Sequence, residues 1–125
     1  MSSLKISEKG NHLVLDGSSK QNFKNPGQVE ATLIKITRKL KLDQISEPIV
    51  IETQEPEESI TGTILLKQSS ITMHAYPKKK WVCIDIYSNE EFDANKTAKF
   101  LIKDLKIVKF KKQILKRGFY NGLNQ

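Results

Sequence analysis

Apolar residues recur along this chain with two different periods, and the switches between them mark out its elements. His12-Leu13-Val14-Leu15-Asp16-Gly17 is a short apolar run closed by glycine, which predicts a strand. After a polar stretch, Asn25-Pro26 reads as a helix start, an N-cap side chain ahead of a proline whose missing N–H costs nothing at the first helical position. Val29, Leu33, Ile36 and Leu40 follow at spacings of four, three and four, one apolar stripe on a helix of about four turns. Pro48-Ile49-Val50-Ile51-Glu52 is β-branched and too short for a helix, so it predicts a second strand.

Residues 60–67, 70–76 and 80–88 are three further strand-like runs, separated by Gln68-Ser69 and by Pro77-Lys78-Lys79. In the last of them Val82, Ile84 and Ile86 alternate with Trp81, Cys83, Asp85 and Tyr87, the period of two expected when one face is buried more deeply. Asp93 can cap a second helix with Ala94, Ala98, Leu101 and Leu105 inward and Lys96, Lys99 and Lys103 outward. In a final strand, 106–115, Val108 and Phe110 alternate with Lys109 and Lys111. The order summarises as β-α-β-β-β-α-β, an α+β two-layer sandwich whose largely antiparallel sheet carries two helices on one face. The other sheet face must meet solvent or a partner, and a homodimer is the economical solution.

With 125 residues, 38% hydrophobic and 28% charged, the chain has the balance of one globular domain spanning 1–125. Cys83 is the only cysteine, which rules out an internal disulfide and a C-x-x-C zinc pair. No metal is expected, and a reducing cytoplasm is the natural setting. The start, Met1-Ser2-Ser3-Leu4-Lys5, leads into mixed polar sequence, and no window approaches the roughly 18 apolar residues of a membrane span, so no membrane is expected.

Lysine and arginine number 21 against 14 acids, a formal +7 that first suggests an anionic partner. The charge is local: residues 96–117 hold nine basic residues and one acid, Asp104, while the acids gather at Glu52, Glu55, Glu57 and Glu58. A nucleic-acid surface would use those lysines on phosphates and Phe119 and Tyr120 for stacking. No nucleic-acid motif accompanies them, and lysines on a wet helix side and an edge strand also serve solubility and block edge pairing. A basic nucleic-acid-binding module is therefore the distant alternative.

The run Gly62-Thr63-Ile64-Leu65-Leu66-Lys67-Gln68-Ser69-Ser70-Ile71-Thr72-Met73-His74-Ala75-Tyr76-Pro77, then Val82-Cys83-Ile84-Asp85-Ile86-Tyr87-Ser88, carries a recognisable spacing. It resembles the core of the small prokaryotic S-adenosylmethionine decarboxylases, pyruvoyl-dependent enzymes of polyamine (spermidine) synthesis. His12-Leu13-Val14-Leu15-Asp16 near the start and Lys116-Arg117-Gly118 near the end extend the resemblance over most of the chain in the same order. It implies a small-molecule substrate, S-adenosylmethionine or another amino acid, and a pyruvoyl group made from the protein itself. To make it, a serine hydroxyl attacks the preceding backbone carbonyl, and the resulting ester eliminates to leave an N-terminal ketone. That ketone condenses with the substrate amine and accepts the electrons left when carbon dioxide departs.

Matched position by position, the resemblance makes Ser69 the pyruvoyl precursor and Gln68 the residue whose carbonyl is attacked, with His74 and Thr61 assisting the processing. Ser69 and His74 differ by five, so in one regular strand they face opposite ways, and the backbone near residues 68–70 must turn or bulge if they cooperate. Other positions depart from the family. Asn89 stands where the catalytic cysteine, the proton donor, is expected, and Lys78 where a glutamate would bind the ribose. Ser70 replaces a histidine, and Glu55 falls near the aromatic position that stacks on adenine. Cys83, six residues from Asn89 and so roughly 20 Å along a strand, is no simple replacement. The departures leave open a non-catalytic family member acting as partner or regulator, and a pyruvoyl decarboxylase for another amino acid.

Overall fold

A computed structural model describes residues 5–6, 10–118 and 120–121. Its elements are β1 (Lys5–Ile6), β2 (Gly10–Ser19), α1 (Pro26–Leu40), β3 (Ile49–Thr53), β4 (Ser59–Leu66), β5 (Ser69–Tyr76), β6 (Trp81–Ser88), α2 (Ala94–Asp104), β7 (Ile107–Arg117) and β8 (Tyr120–Asn121), with a 3-10 turn at Pro77–Lys79. Six strands form one sheet in the order β3-β4-β5-β6-β2-β7, and every neighbouring pair is antiparallel. β1 and β8 make a separate two-stranded pair. Phe119 and the side chain of Tyr120 lie outside the described residues.

The α+β class with both helices on one face is as the periodicity indicates, and the four strands between the helices are the runs read at 48–52, 60–67, 70–76 and 80–88, one more than the summary order β-α-β-β-β-α-β counts. β3, expected at residues 48–52, pairs along its whole length with β4 and forms one edge of the sheet.

Local chemistry sets where the helices start. Asn25 accepts the Gln28 backbone N–H while the Gln28 side chain accepts the Asn25 N–H, a reciprocal box around Pro26. Asp93 likewise accepts the Lys96 N–H at 3.0 Å and opens α2. Val29, Leu33 and Ile36 of α1 and Ala98 and Leu101 of α2 are buried, against Leu13, Leu15, Ile60, Ile64, Ile71, Met73, Ile84 and Ile86 of the sheet. Gly62 lets α1 settle on β4, since a Cβ there would stand 2.8 Å from Val29 Cγ1 and 2.9 Å from Leu33 Cδ1.

The final strand departs from its expected pattern. Val108 is 54% exposed and Phe110 50%, and Ile107 is the inward residue instead. A register shift between Ser18 and Ser19 skips Val108, and β7 is the sheet's other edge.

The face away from the helices is open. It carries Ile49, Ile51 and Leu65 at 56%, 59% and 52% exposure, with Trp81 and Leu115 also more than a third exposed. Among the described residues no helix is long and apolar enough to cross a membrane.

Candidate active site

β4 and β5 form a hairpin in which Leu66 pairs with Ser69, so the two-residue turn is Lys67-Gln68. Gln68 sits in the left-handed region at φ 53, a conformation that costs a non-glycine residue roughly 1 kcal/mol or more. Its carbonyl accepts the Asn89 backbone N–H at 3.0 Å, and its side-chain oxygen accepts from Asn89 Nδ2 at 3.3 Å. The strained residue is thus tied to the end of β6. Next to it, Ser69 is 8% exposed and its hydroxyl lies 2.7 Å from Ser88 Oγ and 3.1 Å from the Lys67 carbonyl. The turn therefore comes before Ser69, and β5 is regular from Ser69 onward, in unbroken register with β4 and β6.

That regularity separates the sequence-derived residues into two groups. Ser69 shares the helix side of β5 with Ile71, Met73 and Ala75, whereas His74 stands on the open side with Ser70, Thr72 and Tyr76. His74 Nδ1 is 3.0 Å from Thr61 Oγ1, so the two processing candidates do meet each other. They do not meet Ser69 within one chain: five residues of strand are roughly 17 Å, with the side chains on opposite faces. Lys78, in the 3-10 turn after β5, and Glu55, in the β3–β4 loop, lie at the His74 end. The two loops touch through Lys79 Nζ and Glu57 Oε1 at 3.3 Å. Gln68, Ser69 and Asn89 lie at the opposite end.

The open side of the Gln68–Asn89 end holds a cavity of about 480 Å³ lined by Gln68, Tyr87, Asn89, Arg117 and Gly118. That volume suits a small metabolite. Arg117 lies over the Tyr87 ring with Cζ 5.0 Å from its centroid, and Nη1 donates to His12 Nδ1 at 3.3 Å. The other ring nitrogen of His12 is 3.1 Å from Asp85 Oδ1, so the imidazole sits between guanidinium and carboxylate.

Asp16, Cys83, His74 and Thr61 occupy one row across β2, β6, β5 and β4. Burial, then hydrogen bonding to and the charge of the Asp16 carboxylate, push the Cys83 thiol up to about 11. Among the described residues no group of three or more His, Cys, Asp or Glu is placed to hold a metal ion.

Sequence reasoning missed Ser88 and the Arg117–Tyr87 wall of the cavity. Ser88 had left a signal: after Val82, Ile84 and Ile86 the next inward position of β6 is polar, and it is completely buried. Arg117 was marked by its place in the basic end and in the Lys116-Arg117-Gly118 run of the resemblance, but neither sets it against Tyr87, because its contacts depend on β7 pairing with β2.

Fold and site together define a two-layer α+β protein with a serine placed directly after a strained, tethered hairpin turn. The family model for S-adenosylmethionine decarboxylase matches residues 11–118, and the chain belongs to that family. The crystal structure of the adenosylmethionine decarboxylase from Aquifex aeolicus VF5 has the same fold, with a TM-score of 0.77 at 20% identity over 94% of this chain and 98% of that one. No curated protein matches the chain in sequence.

Proposed function

We propose that the chain cleaves itself between Gln68 and Ser69 to form a pyruvoyl group, and that the product is a decarboxylase of S-adenosylmethionine in cytoplasmic polyamine synthesis. The observation that carries this reading is the Gln68–Ser69 bond itself. Its carbonyl oxygen already accepts a backbone N–H, from Asn89 at 3.0 Å, its backbone is strained at φ 53, and the Ser69 hydroxyl is held by the Lys67 carbonyl and Ser88 Oγ. A donor on the attacked carbonyl stabilises the oxyanion that forms as Ser69 Oγ adds. The Oγ–C bond forms as the C–N bond breaks, and the hydroxyl proton ends on the freed Ser69 amine. Loss of the Ser69 Cα proton then expels the Gln68 carboxylate, and water replaces the nitrogen, which leaves as ammonia.

The residues around this bond fit such a group, with Ser88 and Asn89 in position to hold it. Once formed, the ketone supplies an electron sink for decarboxylation. The wall formed by Tyr87 and Arg117 orients the substrate beside Gln68 and Asn89, with the Asp85–His12 pair steadying the guanidinium.

Thr61 and His74 enter through a second copy. The apolar residues of the open face favour covering by a like face, and the two groups stand at opposite ends of one sheet. A two-fold axis lying between the two open faces and running across the strands sets the Thr61–His74 end of one protomer over the Gln68–Ser69 end of its partner. Glu55 and Lys78 travel with the His74 end and would approach the partner's substrate. The homodimer is thus part of the site in this reading.

Intact-mass analysis of the purified protein tests it. Two fragments, 1–68 and 69–125, with the second beginning in pyruvoyl, are expected; a chain uncut under all conditions sinks it. Carbon dioxide release from S-adenosylmethionine, arginine and ornithine then fixes the substrate. A second reading is favoured by Asn89, whose amide cannot donate a proton as a thiol of pKa about 8.5 does, and by Lys78 in place of a carboxylate. On that reading the chain is a non-catalytic partner or regulator, and cleavage without carbon dioxide release from any amino acid would single it out. A salt-dependent gel shift lost on neutralising Lys109, Lys111 and Lys112 would point instead to nucleic acid.

A further inference from the structure

On the helix side of the sheet, β5, β6 and β2 present apolar residues along nearly their whole length: Ile71 and Met73, Ile84 and Ile86, Leu13 and Leu15. At one end this gives way to a polar row, because Ser69 is the register partner of Ser88 and Ser88 that of Asn11. Buried hydroxyls are costly unless paired, and these are paired with one another. Ser88, 0% exposed, receives the Ser69 hydroxyl at 2.7 Å. Its own oxygen is fixed by the Glu90 backbone N–H at 3.0 Å, a bond across the same bend that carries Asn89 to the Gln68 carbonyl. Asn11 continues the row: Nδ2 donates to the Phe92 carbonyl at 3.1 Å, while its buried Oδ1 is left without a partner. One three-residue stretch, 88–90, thus holds both reacting groups of the scissile bond, the hydroxyl through the Ser88 side chain and the carbonyl through the Asn89 N–H.

We propose that Ser88 is the positioning residue of self-cleavage, its hydroxyl oxygen setting the rotamer of Ser69 from which Oγ attacks the Gln68 carbonyl. Ser88 takes up no net proton and forms no bond; it acts through Ser69. The inference rests on the reading of Gln68–Ser69 as the cleaved bond and adds to it the group that aims the nucleophile. Ser69 is the first residue after a turn, where among the described residues only Lys67 O and Ser88 Oγ hold its hydroxyl. Loss of one of two such contacts leaves the nucleophile free to rotate away from the carbonyl, and misplacement of a reacting atom by an ångström can cost a hundredfold in rate.

The test compares wild type with Ser88→Ala, Ser88→Thr and Ser88→Val. Each is followed from cell-free synthesis by intact mass, with hydroxylamine added to cut any accumulated ester and the melting temperature measured in parallel. Thr and Val have the same shape and differ by the hydroxyl, so any crowding from the added methyl is common to both. Cleavage of the Val and Ala variants at least tenfold slower than the Thr variant, with Thr and Val melting within a few degrees of each other and no hydroxylamine-sensitive ester in Val, is the expected result. Equal rates in Thr, Val and Ala alongside a cleaving wild type would overturn the role of Ser88 and leave the cleavage reading standing. An uncut wild type would overturn both.

Discussion

If Thr61 and His74 act on the partner's scissile bond, two variants that are each uncut must rescue one another. Ser69→Ala removes the nucleophile but keeps the Thr61–His74 pair, and His74→Ala does the reverse. Within a chain His74 stands roughly 17 Å of strand from Ser69 on the opposite face, whereas proton transfer needs about 3 Å, so self-assistance is negligible. The His74→Ala change costs the 3.0 Å contact with Thr61, worth about 1 kcal/mol, too little to unfold the chain. Melting curves check that point. When the two variants, distinguished by tags, are made together, random pairing puts roughly half of the His74→Ala chains opposite a Ser69→Ala partner. Roughly half of all the His74→Ala chains should then appear as 1–68 and 69–125 fragments, while either variant alone stays whole. A mixture as uncut as its components, next to a cleaving wild type, refutes the two-fold assembly. Cleavage of His74→Ala by itself refutes the role of His74.

Replacing Gln68 with glycine relieves the φ 53 strain and should raise the melting temperature by a degree or so, well under about 1 kcal/mol net, because glycine also loosens the unfolded chain and gives up the long 3.3 Å side-chain bond to Asn89. Cleavage should slow at the same time; an unchanged rate would show that the strain is not used. Asn89→Cys restores a thiol beside the cavity while keeping the backbone N–H on Gln68, so carbon dioxide release should rise at least tenfold with cleavage little altered. No rise would mean that proton donation does not limit turnover. The Cys83 thiol, raised from 9.0 to about 11 by burial and Asp16, stays protonated near pH 8. Alkylation by iodoacetamide should accordingly run on the order of a hundredfold slower in the native protein than in urea. Since the folded state disfavours the thiolate, the Cys83 contribution to stability should be constant below about pH 9 and fall as pH climbs toward 11, and Cys83→Ser should remove that part of the alkaline loss.

The two helices were legible because their signals are local: the Asn25–Pro26 start and the Asp93 cap lie within one turn of the residues they control. β7 was misread in detail because the burial of Val108 and Phe110 depends on a register shift opposite Ser18 and Ser19, ninety residues away in the chain, and on the strand's place at the sheet edge. The candidate site divides along the same line. The strand runs put the bend at Gln68-Ser69, one residue later than the Lys67-Gln68 turn, and only the resemblance singled those two residues out, while the period of two foretold that Ser69 and His74 face opposite ways. What no local pattern holds is the third strand. Through β6, Asn89 meets the Gln68 carbonyl and Ser88 meets the Ser69 hydroxyl, and a reading of single positions sees in residue 89 only a lost thiol. The backbone N–H at that position does not depend on the side chain, so the carbonyl keeps its donor where the proton donor is gone. On the proposed mechanism, formation of the ketone and its use in turnover therefore place separate demands on residue 89, and asparagine there would meet the first.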